Sequence, residues 1–255
     1  MRLRDKIVVI TGASGGIGRA LAIEAGLSGA IVHLAARSSA GLEQCAGILG
    51  GYGIRHSLSE LDVTSLDSIK ELGSNLQSRY GKVDVLINNA GIGLFQRSLD
   101  ASDQDLTKIF ETNTFGPLRL TRELKPLLDG GMVVNISSAA SKFSPADQGV
   151  YAASKAAFER FSEALSVEEA SFRTLLVVPD RTDTPFMANV IGPKTGARLA
   201  LDLKPNSAEA VAKSIVAAIQ KERRICYTTL KARAYTILSA TVPALVRRLV
   251  EKTAA

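Results

Sequence analysis

The stretch KIVVITGASGGIG, residues 6–18, decides the fold. An apolar run meets glycines, and beyond them apolar residues recur with a 3.6-residue period, so a buried strand turns sharply into a helix. Gly12, Gly16 and Gly18 let the backbone turn, approach a pyrophosphate and pack the helix close to the sheet. Ser14 and Ile17 belong to the same turn, and the N–H groups at the helix start face an anion. Near the N-terminus and between strand and helix, this reads as a cofactor-binding turn.

The pattern repeats outward. AIVHLAA (30–36), VDVLIN (83–88), GMVVNIS (131–137), RTLLVV (173–178) and RRICYT (223–228) are short β-branched runs, with a weaker strand around 54–58. Helical spacing fills 16–28, 65–80, 102–128 and 151–170. Apolar strands separated by helices predict an α/β fold, a doubly wound parallel sheet of Rossmann type in a single domain with a C-terminal helical tail. Right-handed crossovers favour strand order 3-2-1-4-5-6, with ligands at the carboxyl ends of the strands. The catalytic and dinucleotide-binding domain is expected over 1–228. Within it the irregular stretch 180–206, rich in Pro, Gly, Asp and Lys, reads as a binding loop or lid.

Composition sets bounds. A chain of 255 residues fits one large α/β domain. Cys45 and Cys226 lack the spacing of a metal site or redox pair, and His33 and His56 are isolated, so no metal is expected. The N-terminal run reads as neither signal peptide nor membrane span, and the expected location is the cytoplasm. Residues 1–220 hold 23 basic and 23 acidic side chains, whereas 221–255 hold 8 and 2, so the net charge of +6 lies in the tail. The tail has little aromatic interleaving, which argues against nucleic-acid binding.

YAASK places Lys155 one helical turn after Tyr151, on the same face, and NISS supplies Ser138 from another element. A free phenol titrates near ~10, and an adjacent ammonium favours the phenolate. A serine hydroxyl beside it can hydrogen-bond the oxygen that takes the tyrosine proton. That chemistry is carbonyl reduction or alcohol oxidation. The second strand ends on Ala36, followed by Arg37, Ser38 and Ser39, where an NAD site would carry a carboxylate for the ribose hydroxyls. A guanidinium can stack on adenine and pair with a 2′-phosphate, so NADP(H) is the expected cofactor.

With these elements in place the chain resembles the short-chain dehydrogenase/reductase family over nearly its whole length. The motifs are TGASGGIG, LDVT with Asp62, NNAG at 88–91, Asn113 in ETNTFGP, NISS ending at Ser138, and YAASK. The resemblance implies that Asp62 and Val63 border the adenine. Asn88, Asn89, Ala90 and Gly91 would stabilise the central strand and line the cofactor cleft. Asn113 would hold a water leading to Lys155, Lys155 would bond the nicotinamide ribose, and Ser138 would orient the carbonyl. Pro179 and Thr184 match the segment that meets the carboxamide, but Asp180 stands where the family usually has glycine. Aspartate tolerates positive φ, which would preserve the turn. The family also implies a homodimer or homotetramer through the helices near 102–128 and 151–170.

Leu94, Phe95, Phe143, Phe186, Met187, Val190 and Ile191 give the expected substrate pocket an apolar lining, suited to a small apolar ketone, aldehyde or alcohol. Lys142 is a candidate partner for an anionic group, although a lone Lys beside a loop is more often solvated. Residues 229–255 carry a basic amphipathic helix with Pro243 as a kink, and three readings stand: a helix packed on the domain, a subunit contact, or a peripheral membrane anchor. Two alternatives to the carbonyl reductase also stand: a 3-oxoacyl-thioester reductase acting on an acyl carrier, and a non-catalytic NADP(H)-sensing protein.

Overall fold

The computed structural model describes residues 1–143, 145–192 and 204–254. Strand and helix alternate through β1 (Ile7–Thr11), α1 (Gly16–Leu27), β2 (Ile31–Ala36), α2 (Ser39–Gly51), β3 (His56–Glu60), α3 (Leu66–Tyr80) and β4 (Val85–Asn88). Then come α4 (Asp103–Phe110), α5 (Gly116–Leu124), β5 (Met132–Ile136), α6 (Gly149–Glu168) and β6 (Arg173–Val178). The two-residue strands β7 (Thr182–Asp183) and β8 (Asn206–Ser207) pair with each other, and α7 (Ala208–Gln220), β9 (Ile225–Tyr227), α8 (Leu230–Thr241) and α9 (Pro243–Ala254) follow.

Seven strands make one parallel sheet in the order β3-β2-β1-β4-β5-β6-β9. It is the expected doubly wound order, extended at one edge by β9. Alternation along β1 shows why both faces are covered: Val8 and Ile10 enter one core with residues of α1, α2 and α7, while Ile7 and Val9 enter the other with residues of α3 and α5. The edge strand β3 (HSLSE) alternates polar residues with a single Leu and is only partly covered.

Three expectations change in detail. The continuous helix read over 102–128 is divided into α4, a π turn at Glu111–Phe115, α5 and a 3-10 turn at Lys125–Leu127. The tail is two helices, because Pro243 occupies the first position of α9 and Val242 before it takes a non-helical backbone. Of the lid stretch, 193–203 lies outside the described residues. Its described part holds β7, a 3-10 turn at Pro185–Asn189 and a bridge between Ile191 and Leu94.

The close approach of α1 to the end of β1 sets the geometry at the carboxyl edge of the sheet. Gly12 has φ 65°, and a Cβ on Gly18 would lie 2.2 Å from the Gly12 carbonyl oxygen. Replacing Gly18 by Ala should therefore destabilise the domain by about 1–3 kcal/mol, although alanine ordinarily favours a helix by ~1 kcal/mol over glycine. Thermal unfolding of the two proteins reads the sign directly, and a variant that melts no lower than the parent would contradict the close packing.

Candidate active site

A cleft of about 660 Å³ runs along the carboxyl edge of the sheet, from the β1–α1 turn and the end of β2 to Ser138, Tyr151 and Lys155. Its first half suits a dinucleotide. Gly12, Ser14, Gly16 and Ile17 form the floor, and α1 starts after Gly15 with no side chain capping it. The first N–H groups of α1 are therefore left by the side chains for an anion. Ala36, Arg37 and Ser38 line the cleft at the end of β2, where no carboxylate stands, and Arg37 is exposed. Ser38 also caps α2 by accepting from Gly41 N at 3.1 Å. Asp62 and Val63 form the wall beyond, and Thr64 holds one Asp62 oxygen through its N–H at 2.9 Å and its hydroxyl at 2.7 Å. This uncapped helix start beside a glycine floor fits a dinucleotide pyrophosphate.

The strand ends are tied together by polar side chains. Asn89 Nδ2 donates to Thr11 O at 2.9 Å, and the Asn89 and Ala90 N–H groups both donate to Thr11 Oγ1 at 3.0 Å. Asn88 turns away from the cleft, donating to Thr121 Oγ1 and to Asn135 Oδ1. Asn89, Ala90 and Gly91 line the cleft as read from the sequence, whereas Asn88 is purely interior. Thr11 and Asn135 were missed; a Thr closing one apolar strand and an Asn inside another were the available signals.

At the other end, α6 brings Tyr151 and Lys155 to one face. Lys155 Nζ donates to Ile136 O at 3.0 Å and is buried, which lowers its pKa to about 8. Gly91 makes room for it: a Cβ there would lie 3.3 Å from Lys155 Nζ and 3.2 Å from Asn113 Oδ1. Burial pushes the Tyr151 phenol up, and a hydrogen bond from Ser138 opposes that rise. Ser138 Oγ accepts from Ala140 N at 3.2 Å, so its own proton is free to point at the phenol. The rings of Phe186 and Phe95 stand 6.0 and 6.4 Å from that of Tyr151.

Asn113 sits in the middle of the π turn, behind the wall. Its Oδ1 accepts from Ile92 N, and its Nδ2 donates to Ile92 O and to Ser154 Oγ. Both amide protons are thus spent on protein, so a water on the Lys155 side could be held only through the Asn113 main chain or the remaining lone pair of Oδ1. The π turn, a feature frequent at functional sites, had no sequence signal.

The substrate end departs from the sequence reading at several places. Phe95, Phe143, Phe186, Met187 and Ile191 line the cleft, but Leu94 and Val190 are core residues, because neighbours along an extended segment face opposite ways. Gly18 likewise packs behind the floor. Lys142 does not face an anion site; it pairs with the buried Glu159 of α6. Pro179 and Thr184 line the cleft, and Asp180 does not adopt positive φ. Asp180 nevertheless lines the cleft, with Oδ1 accepting from Arg181 N at 2.8 Å and Oδ2 from Thr229 Oγ1 at 3.4 Å. Thr229 caps α8, which packs on the 3-10 turn Ala139–Lys142 with Tyr235 against Phe143 at 5.5 Å. Among the described residues no helix is long and apolar enough to cross a membrane.

The sequence profile of the short chain dehydrogenases matches residues 6–195. The chain belongs to this family. It is an oxidoreductase of that type, and the family's fold agrees with the sheet described above. The chain is 31% identical to an uncharacterized oxidoreductase, YxnA, of Bacillus subtilis (strain 168), over 98% of this chain and 73% of that protein. A Burkholderia phymatum short-chain dehydrogenase/reductase, solved with NAD, shares the fold at a TM-score of 0.85 and 24% identity, over 96% of each chain. An alcohol dehydrogenase of the archaeon Thermococcus sibiricus, solved with 5-hydroxy-NADP, has a TM-score of 0.78 and 27% identity over 88% of this chain and 95% of that one.

The buried ammonium has a consequence for stability. Unfolded, Lys155 keeps its proton to 10.5, whereas folded it releases it near 8. Between those values the unfolded state binds more protons, so the lysine makes the fold more stable as pH rises through that window. The raised phenol of Tyr151 acts in the opposite direction only above its ordinary 10. The unfolding free energy of the wild type relative to Lys155→Met should accordingly climb by about 2–3 kcal/mol from pH 7.5 to 10. A flat difference would mean that Lys155 stays charged throughout.

Proposed function

We propose that this oxidoreductase interconverts an apolar ketone or aldehyde and its alcohol, with NADP(H) as cofactor. The observation that carries the reading is the convergence of a buried phenol, a serine hydroxyl and a buried ammonium at one end of a cleft whose other end is the uncapped start of α1. Arg37 and Ser38 at a strand end without a carboxylate support NADP(H) over NAD(H). The aromatic lining of Phe95, Phe143 and Phe186 supports an apolar substrate.

When bound, the nicotinamide supplies hydride to the carbonyl carbon or takes it from the alcohol. The protein's part is to orient the oxygen and move its proton. Ser138, one of its lone pairs occupied by Ala140 N–H, donates to the substrate oxygen, and Tyr151 gives that oxygen its phenolic proton as charge develops. Lys155, one turn along the helix, stabilises the phenolate left behind and would hold the nicotinamide ribose; Asn113 acts from behind by fixing the Ile92 main chain. We extend the proposal to a homodimer or homotetramer through the α4–α6 surface, where Phe115 and Phe161 are exposed.

NADPH and NADH consumption at 340 nm across ketones, aldehydes and acyl thioesters tests the reading. Tyr151→Phe should lower turnover by about 10²–10⁴-fold with NADPH affinity unchanged. Turnover confined to thioesters would move the substrate to 3-oxoacyl carriers, and NADPH binding with no turnover would make the protein a dinucleotide sensor. Arg37→Asp should impair NADPH use far more than NADH use; equal losses would refute the cofactor assignment.

A further inference from the structure

Tyr151 and Lys155 share their face of α6 with a carboxylate. Glu159 follows Lys155 by one further turn and is 1% exposed. A carboxylate so placed is costly unless it is paired and hydrogen-bonded. Its partners come from one segment, the 3-10 turn Ala139–Lys142 that begins at Ser138. Glu159 Oε1 pairs with Lys142 Nζ, and Glu159 Oε2 lies 2.6 Å from Ser141 Oγ. Ser141 Oγ is also 2.7 Å from Ser138 O, so the hydroxyl shares its one proton between the Ser138 carbonyl and the Glu159 carboxylate. Two further charges stand close by: the exposed Arg160, 3.7 Å from Glu159 Oε1, and Glu163, one turn along α6, which pairs with Arg160 at 2.6 Å and acts on Lys142.

The turn is held from the sheet side by Ala139 N donating to Pro179 O at 2.8 Å. On the helix side its polar fastening is Glu159. Tyr151 and Glu159 ride on one rigid helix, two turns apart, so whatever fixes the turn to Glu159 also fixes Ser138 relative to the phenol. A family member needs this distance set closely, since a misplacement of ~1 Å at a reacting centre can cost about 10²-fold in rate.

We propose that Glu159 is a positioning residue, which acts through Ser141 and Lys142 to hold the Ser138 hydroxyl against Tyr151. The inference rests on the roles given above to Ser138 and Tyr151. Glu159 touches neither substrate nor dinucleotide, and its effect passes through the serine hydroxyl.

The test is made on the full chain with NADPH and phenanthrenequinone, an apolar diketone, as the probe. Glu159→Gln keeps an acceptor for Ser141 and gives up the ion pair, and Glu159→Met gives up both. Expected is a graded fall in kcat, reaching about 10- to 100-fold in Glu159→Met, with the NADPH dissociation constant unchanged. In a Ser138→Ala background the same substitutions should cost nothing further, because the group they position is gone. An unchanged kcat in a folded Glu159→Gln protein overturns the proposal. So does an equal loss with and without Ser138, which is what a general weakening of the fold produces. The isosteric Glu159→Gln decides the matter if Glu159→Met does not fold. Should the wild type turn over no carbonyl probe, the functional reading fails, and positioning is read from amide exchange instead. Exchange at 139–143 should then quicken at least about tenfold in Glu159→Gln relative to Glu168→Gln, an exposed control on the same helix, and equal protection in the two variants overturns the proposal.

Discussion

The interior of the active site is arranged around an ammonium that has been taken out of water. Lys155 keeps one carbonyl partner, Ile136 O, and its neighbours are shaped by the need to make space and dipoles for it. Gly91 has no side chain where one would strike Nζ, and Asn113 braces the next residue, Ile92, through both its N–H and its carbonyl. That bracing needs Asn113 turned toward the β4 end, and the π turn presents it there. Thr114, its neighbour in the same turn, donates to Ser154 O, so the distorted helix is also fastened to α6 beside Lys155.

Behind this site the sheet carries a polar thread through an otherwise apolar core. Thr121, Asn88, Asn135 and Ser162 are linked by hydrogen bonds from α5 through the ends of β4 and β5 to α6. A slip of one residue between β4 and β5 would separate the two asparagines and leave buried amides without partners, so the network specifies register more strongly than the Val and Leu contacts around it. Register at these strand ends is what brings Gly91 and Ser138 to the same cleft.

The architecture was legible because its signals are local. An apolar run entering glycines, repeated strand-helix alternation and a Tyr-Lys pair one turn apart each follow from spacing alone. What escaped depends on contacts between distant segments. Residues 102–128 have the composition of one unbroken helix, and the π turn goes with contacts of Asn113 and Thr114 to Ile92 and Ser154, distant in sequence. Leu94 and Phe95 are equally apolar, and which one faces the cleft is decided by the bridge to Ile191. Asp180 invited an argument about positive φ, but its carboxylate has partners in Arg181 and Thr229, the latter 49 residues away in sequence. Lys142 looked like a solvated or anion-seeking side chain until the fold set it against Glu159.

The seventh strand has a consequence during synthesis. β6 is flanked on one side by β5, already made, and on the other by β9, which begins 47 residues after β6 ends. A nascent chain therefore presents Leu176–Val178 as an open, apolar parallel edge until Ile225–Tyr227 clears the ribosome, an interval of roughly 2–10 s at about 5–20 residues per second. Such an edge is a template for pairing with another chain. The short β9 thus works as a late-arriving cover, and the burden of keeping newly made chains apart falls on the time before it docks.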